Sequence, residues 1–367
     1  MVLETLLWIG AGSMFALFGS IGLFTLWLAV TKRRADRHRT EVRERLRTAL
    51  FDRQEWADPG WEKWVASLSP TEKVALGRLI ERYLRLITGP QREPLLAVAR
   101  ELQVGEDAVS QLDSPNKTLR LTALATLTVL DHPVTVDRLL ETCTDRRDTR
   151  EAAARLIYER RTEFTRPSEW GTKLLLWEGE QPLTVYGLET LALLNSGKST
   201  PLLGHGQTYS PIWSPSLLVQ TCTVLAHCQS VEPPSAFDWV FPLLEHEEPS
   251  VRAAAVGVFA QQGWRRELRN RLDIAALFAD PSPVVRTATY ELLTGWGDRQ
   301  ARELLEWAVI DEADQRCQMI AVRGLALLAA TPRREQPAWP ESAWNWHRAE
   351  LEVTTETRLQ ATTKALL

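Results

Sequence analysis

Cys222, His227 and Cys228 are the closest approach in this chain to a metal site, since thiolate and imidazole are ligands that zinc prefers. A structural zinc needs four ligands at ordered spacing and no second cluster follows, so the three read as packing residues. His246-Glu247 offers one ligand pair, and six histidines in the whole sequence are too few to build an iron site from several such pairs. LLNSGKST, ending at Thr200, carries the Gly-Lys-Ser of a phosphate loop, but Ala192 stands where that loop requires its first glycine, and a helical pattern rather than a strand precedes it. No Ser-His-acid or Cys-His set is fixed by spacing. The expectation is a protein that is not an enzyme, with no catalytic residue, no bound metal and no cofactor.

The elements come next. Residues 6–30 contain no charged side chain, and Lys32, Arg33 and Arg34 follow at once. Crossing a hydrocarbon core takes about 20 apolar residues in a helix, and Trp8 and Trp27 lie about 29 Å apart along such a helix, the separation of the two interfaces. MVLE carries no cation and no small-residue cleavage site follows, which argues against a removed signal peptide. Residues 1–31 therefore read as a single-pass transmembrane anchor. The basic flank keeps the following chain on the inner side, which gives a cell-membrane protein with its N-terminus outside and its C-terminal domain cytoplasmic. Gly12, Ala16 and Ser20 recur every four residues and form a small-residue face on which another helix, from a second copy or a different protein, could pack.

Residues 32–55 read as a basic juxtamembrane helix. Its Lys32, Arg33, Arg34, Arg37 and Arg39 suit lipid headgroups, and Val42, Leu46, Ala49 and Leu50 share one side. With the formal charge of the whole chain at -4, this cationic segment leaves the remainder mildly acidic. That balance argues against the basic stripe a nucleic-acid binder needs, though not against a local basic patch, and no nucleic-acid partner is expected. Cys143, Cys222, Cys228 and Cys317 sit in apolar patterns and read as reduced thiols without disulfides.

From residue 113 one motif returns. EPSVRAAAVGVFA from Glu248 and DPSPVVRTATYELL from Asp280 share an acid, Pro, Ser and a Val-Arg pair leading into a small-residue helix, with Arg252 and Arg286 34 residues apart. The register extends to Pro215 and Pro182, where the Arg is missing, and to Asp113, Asp145 and Asp311, which bring Arg120, Arg150 and Arg316 to the corresponding place. An amphipathic stretch precedes these segments, as in VDRLLETC, FDWVFPLLEH, LRNRLDIAALFA and ARELLEWAVI, so each unit reads as a helical hairpin. A lone hairpin cannot bury its apolar faces, and a period in the thirties is the mark of stacked repeats.

These residues resemble the HEAT-repeat family of armadillo-like solenoids. The resemblance implies an all-α fold, a right-handed α-solenoid of about seven hairpins over residues 113–330 behind the N-terminal transmembrane helix, with Arg252, Arg286 and Asp280 in a structural ladder between units. Residues 56–112, which include a Ser69-Pro70-Thr71-Glu72 capping box, read as a helical N-terminal cap. The stretch 195–214 reads as a long irregular loop. Residues 331–367, rich in Trp and Pro, read as a C-terminal cap or tail.

The function expected is that of a membrane-anchored cytoplasmic scaffold or accessory subunit that binds another protein, a membrane enzyme or transporter. The alternative is a HEAT-like enzyme or small-ligand carrier, resembling lyases, at the inner membrane face. Candidate partner contacts are Trp339, Trp344 and Trp346, because indoles are common binding anchors, and His205 and Tyr209 in the expected loop.

Overall fold

The computed structural model describes residues 40–53, 59–197, 200–228 and 232–328. The expected membrane helix and its packing face at Gly12, Ala16 and Ser20 lie outside these residues, as do the basic flank Lys32–Arg39 and the C-terminal segment. The described residues are all-helical: eighteen α-helices, several short 3-10 turns and no strand. No described helix is long and apolar enough to cross a membrane. The chain divides into two compact units, with the boundary between Pro133 and Val134.

The first unit contains α1 (40–53), α2 (Trp61–Ser67), α3 (Pro70–Leu84), α4 (Arg92–Glu101), α5 (Val104–Gln111) and α6 (Lys117–Leu130). Its core gathers Leu46 and Leu50 of α1, Trp64 of α2, Leu76 and Ile80 of α3 and Leu95 and Val98 of α4. The basic helix is thus no free-standing connector, because its apolar stripe is buried against α2–α4. α3 opens on the expected capping box: the Ser69 hydroxyl accepts the Glu72 amide, and the Glu72 carboxylate accepts the Ser69 amide at 2.9 Å. Two of the amides that a helix start leaves without intrahelical partners are satisfied this way.

The second unit contains α7 (Val136–Cys143), α8 (Arg147–Glu159), α9 (Pro167–Leu175), α10 (Val185–Asn195), α11 (Pro201–Tyr209), α12 (Pro215–His227), α13 (Pro249–Gln261), α14 (Arg266–Arg271), α15 (Ile274–Phe278), α16 (Pro283–Trp296), α17 (Arg299–Asp311) and α18 (Gln315–Leu328). Pro at the first helical position opens α9, α11, α12, α13 and α16, where its missing N–H costs nothing. α8, α10, α12, α13, α16 and α18 pack on one another in chain order, and α9 packs on α11.

Three segments depart from expectation. The supposed loop 195–214 holds α11 and a 3-10 turn at Ser210–Ile212. Its glycines suggest irregularity, yet Gly206 is a packing residue, since a Cβ there would overlap the indole of Trp239. Buried Asn195 supports the same turn: its amide donates to Thr172 at 3.1 Å and to the Leu191 carbonyl at 2.8 Å, and its carbonyl accepts from Leu202 N at 2.9 Å. FDWVFPLLEH forms 3-10 turns at Pro234–Phe237 and Phe241–Glu245 instead of an α-helix, because Pro242 cannot donate to an α-helical ladder. LRNRLDIAALFA breaks in two where Asp273 caps α15 through the Ala276 amide at 3.0 Å.

Hydrogen bonds between successive helix pairs hold the second unit in register. Arg252 donates from Nε and Nη2 to both oxygens of Asp280 at 2.8 and 2.9 Å, and from Nη1 to the carbonyls of His246 and Glu247. Arg286 repeats the arrangement, with Glu312 taking both bonds at 2.8 Å while Nη1 reaches the Asp280 carbonyl at 2.8 Å. Asp280 also accepts the Ser282 amide, and Glu312 the Asp314 amide, both at 2.8 Å. Glu312 therefore occupies the place of Asp280, which shifts the last register by two residues: Arg316 is exposed, and Gln318 holds the place of Arg286.

Where the Arg is missing, other groups bridge. The Thr184 amide and hydroxyl donate to buried Glu151, the amide at 2.9 Å. Gln220 accepts the Leu183 amide at 2.7 Å and donates to the Leu183 carbonyl at 2.9 Å.

Candidate functional site

His205 and Tyr209, one turn apart on α11, stack with ring centroids 5.9 Å apart and planes 27° from parallel. They line an open groove of about 750 Å³ whose other wall is the first turn of α9, Pro167, Ser168 and Glu169, with Thr200, Thr208 and Glu232 at its ends. Burial pushes the His205 imidazole below its usual pKa, and the nearby Glu169 only partly opposes this. The ring is accordingly neutral at pH 7 and offers one donor and one acceptor, a neutral handle beside a half-exposed phenol. Trp339, Trp344 and Trp346 lie outside the described residues.

A second surface was not visible in the sequence. Arg155 of α8 lies over Tyr158 of the same helix, with 5.6 Å from guanidinium carbon to ring centroid, and over Tyr186 of α10 at 5.7 Å. Its Nε donates to Glu159 at 2.8 Å, and its Nη1 stands 3.7 Å from Glu189. Arg161 covers Tyr158 as well, at 5.1 Å. Beside this cluster Val185 is 86% exposed. Burial raises the Tyr186 phenol pKa, with Arg155 opposing, so the ring stays protonated and keeps its donor. Tyrosine and arginine are the types enriched at binding hot spots, and here the guanidinium already lies against two rings and bonds Glu159 before any partner arrives, which lowers the ordering cost of association. Arg155 and Tyr158 are three apart in sequence, but Tyr186 joins them only through the packing of α8 on α10.

The candidate chemistry takes simpler roles. Cys222 is buried, its thiol pushed up to about 12 by desolvation, and Cys228 is raised to about 11 for the same reason, so neither is a ready nucleophile. His246 Nδ1 accepts the Glu248 amide at 3.0 Å in an exposed turn. Among the described residues no group of three or more His, Cys, Asp or Glu side chains is placed to hold a metal. The four cysteines are free. No protein-family model matches the chain, and no curated protein matches it.

Proposed function

We propose that this chain is a membrane-anchored, HEAT-like α-solenoid that works as a scaffold or accessory subunit, holding a membrane enzyme or transporter at the cytoplasmic face. Positioning is the whole mechanism. An N-terminal tether confines the helical body near the bilayer and raises the effective concentration of whatever the body grips there, while the stacked second helices of the hairpins provide the gripping surface.

The observation that carries this reading is the pre-ordered Arg155–Tyr158–Tyr186 cluster on the second helices of two successive pairs, in a unit whose pairs are linked by repeated side-chain bridges. The uncharged run 6–30 and its basic flank support the tether.

The test places a photo-crosslinking amino acid at Val185 in the full chain in its native membranes. A single membrane protein captured there, and lost when Tyr186→Ala is added, supports the reading. Capture of nothing, or only of a second copy of this chain, overturns the scaffold. Release of the chain into the supernatant by an alkaline wash overturns the tether.

A further inference from the structure

The first unit carries a groove that the scaffold reading leaves unused. Between α1 and α3 lies an open cleft of about 940 Å³ with Val42, Val74, Ala75 and Leu79 among its apolar lining. Arg43, Arg45, Arg78 and Arg82 also line it. Arg45 is bound to Glu72, but among the described residues Arg43, Arg78 and Arg82 form no ion pair. Arg78 and Arg82 are one helical turn apart, directly above Val74, so two like charges repel each other beside a valine that is 57% exposed. Among the described residues nothing offsets this repulsion. An anion with an apolar body would relieve the repulsion and cover the valine together.

We propose that this groove takes an anionic phospholipid of the membrane surface, with the phosphate between Arg43, Arg78 and Arg82 and the upper part of an acyl chain along Val42, Val74 and Leu79. Charge complementarity selects the occupant: guanidinium forks match phosphate oxygens two at a time, and a zwitterionic headgroup supplies no net charge to balance three cations. Chain length makes it reachable. Twelve residues lead from Val30, the end of the uncharged run, to Val42, a span of at most about 43 Å when fully extended and about 18 Å when helical. The proposal deepens the tether reading and rests on it for proximity. It turns a single tether into a two-point attachment that would fix how the first unit faces the bilayer.

The experiment uses the full chain, with Thr71→Cys at the groove rim carrying an environment-sensitive fluorophore, in vesicles of equimolar phosphatidylcholine and phosphatidylglycerol. Bromine is placed on the acyl chains of one lipid or the other as a contact quencher. Strong quenching by brominated phosphatidylglycerol and little by brominated phosphatidylcholine is expected. The triple variant R43Q/R78Q/R82Q should weaken the phosphatidylglycerol preference by on the order of tenfold or more. Val74→Asp, a second variant at an exposed position, should remove it by repulsion.

Equal quenching by both lipids, or a preference untouched by either variant, overturns the proposal. Complete competition by inorganic phosphate shows a simple anion site and also overturns it. Alkaline extraction of the same vesicles reads the tether separately. A chain that stays embedded without lipid preference sinks the groove alone, and a chain that washes out sinks the tether.

Discussion

The two halves of the second unit solve one packing problem with different chemistry. From α13 to α18 each step is a guanidinium fork, Arg252 on Asp280 and Arg286 on Glu312, with the third arginine nitrogen returned to a carbonyl of its own turn. From α8 to α12 the fork fades. Arg150 donates to the Thr144 carbonyl at 2.8 Å but stands 3.8 Å from Glu178, Thr184 and Leu218 take the next two arginine positions, and Glu151 and Gln220 bridge to Thr184 and Leu183. Successive hairpins need two-point hydrogen bonding to a turn, and charge is one of several ways to supply it. The neutral amide does so without desolvating an ion.

The largest effect that would sharpen this contrast is expected from Arg286→Ala. It leaves Glu312, whose side chain is 4% exposed, without its cation, and should cost about 3 kcal/mol by urea unfolding. An equally large loss from Gln220→Ala would erase the difference between the charged joints and the neutral one.

Acid is the next lever. Burial alone would raise the Glu312 pKa, yet Arg286, Tyr290 and the Asp314 amide outweigh burial and hold the carboxyl at about 2. Asp280 is lowered by the same kind of contest, with burial opposed by Arg252 and the Ser282 amide. A folded-state pKa below the unfolded one contributes stability that is complete above about pH 4.5 and is lost as the pH falls toward 2. Amide exchange measured as the pH falls through that window should therefore show α16 and α18 losing protection before α12, whose Gln220 link to Leu183 joins uncharged groups.

Gln220→Ala should cost about 1.5 kcal/mol, because two neutral hydrogen bonds go and the Leu183 amide and carbonyl lose their partner. The loss should be the same at pH 4 and pH 7, and a strong pH dependence would contradict the neutral assignment. The smallest effect is expected from Tyr186→Ala. Its ring is only about half buried, so thermal unfolding should move by no more than about 1 kcal/mol while capture at Val185 disappears. A large destabilisation would make the Arg155 cluster a packing device rather than a surface held ready.

Much of this architecture was legible because the signals are local. The prolines that open helices and the Ser69 capping box each act within one turn of where they are written, and the Val-Arg motif announces itself by returning at Arg252 and Arg286. What escaped depends on partners far away in sequence. Gly206 reads as loop until Trp239 lies against it, and Thr184 reads as a defective repeat until Glu151 and its neighbour Gln220 are placed beside that turn. The two-residue slip at Glu312 arose because Arg316 imitates the motif one half-turn early, and only the acceptor reveals the true register. The tyrosine-clasped Arg155 was hidden for the same reason, since Tyr186 stands 31 residues away.

The forks at Arg252 and Arg286 point forward along the chain: each guanidinium rests on its own turn and closes on the acid of the turn that follows. Donor and acceptor thus lie 28 residues apart at Arg252 and 26 apart at Arg286, and a cut between them separates the pair. A segment copied or excised here keeps its joints only if it runs from one arginine up to the next equivalent position, as from Arg252 up to Arg286. Chimeras spliced at those boundaries should inherit matched joints, whereas joins made mid-period inherit a stranded cation.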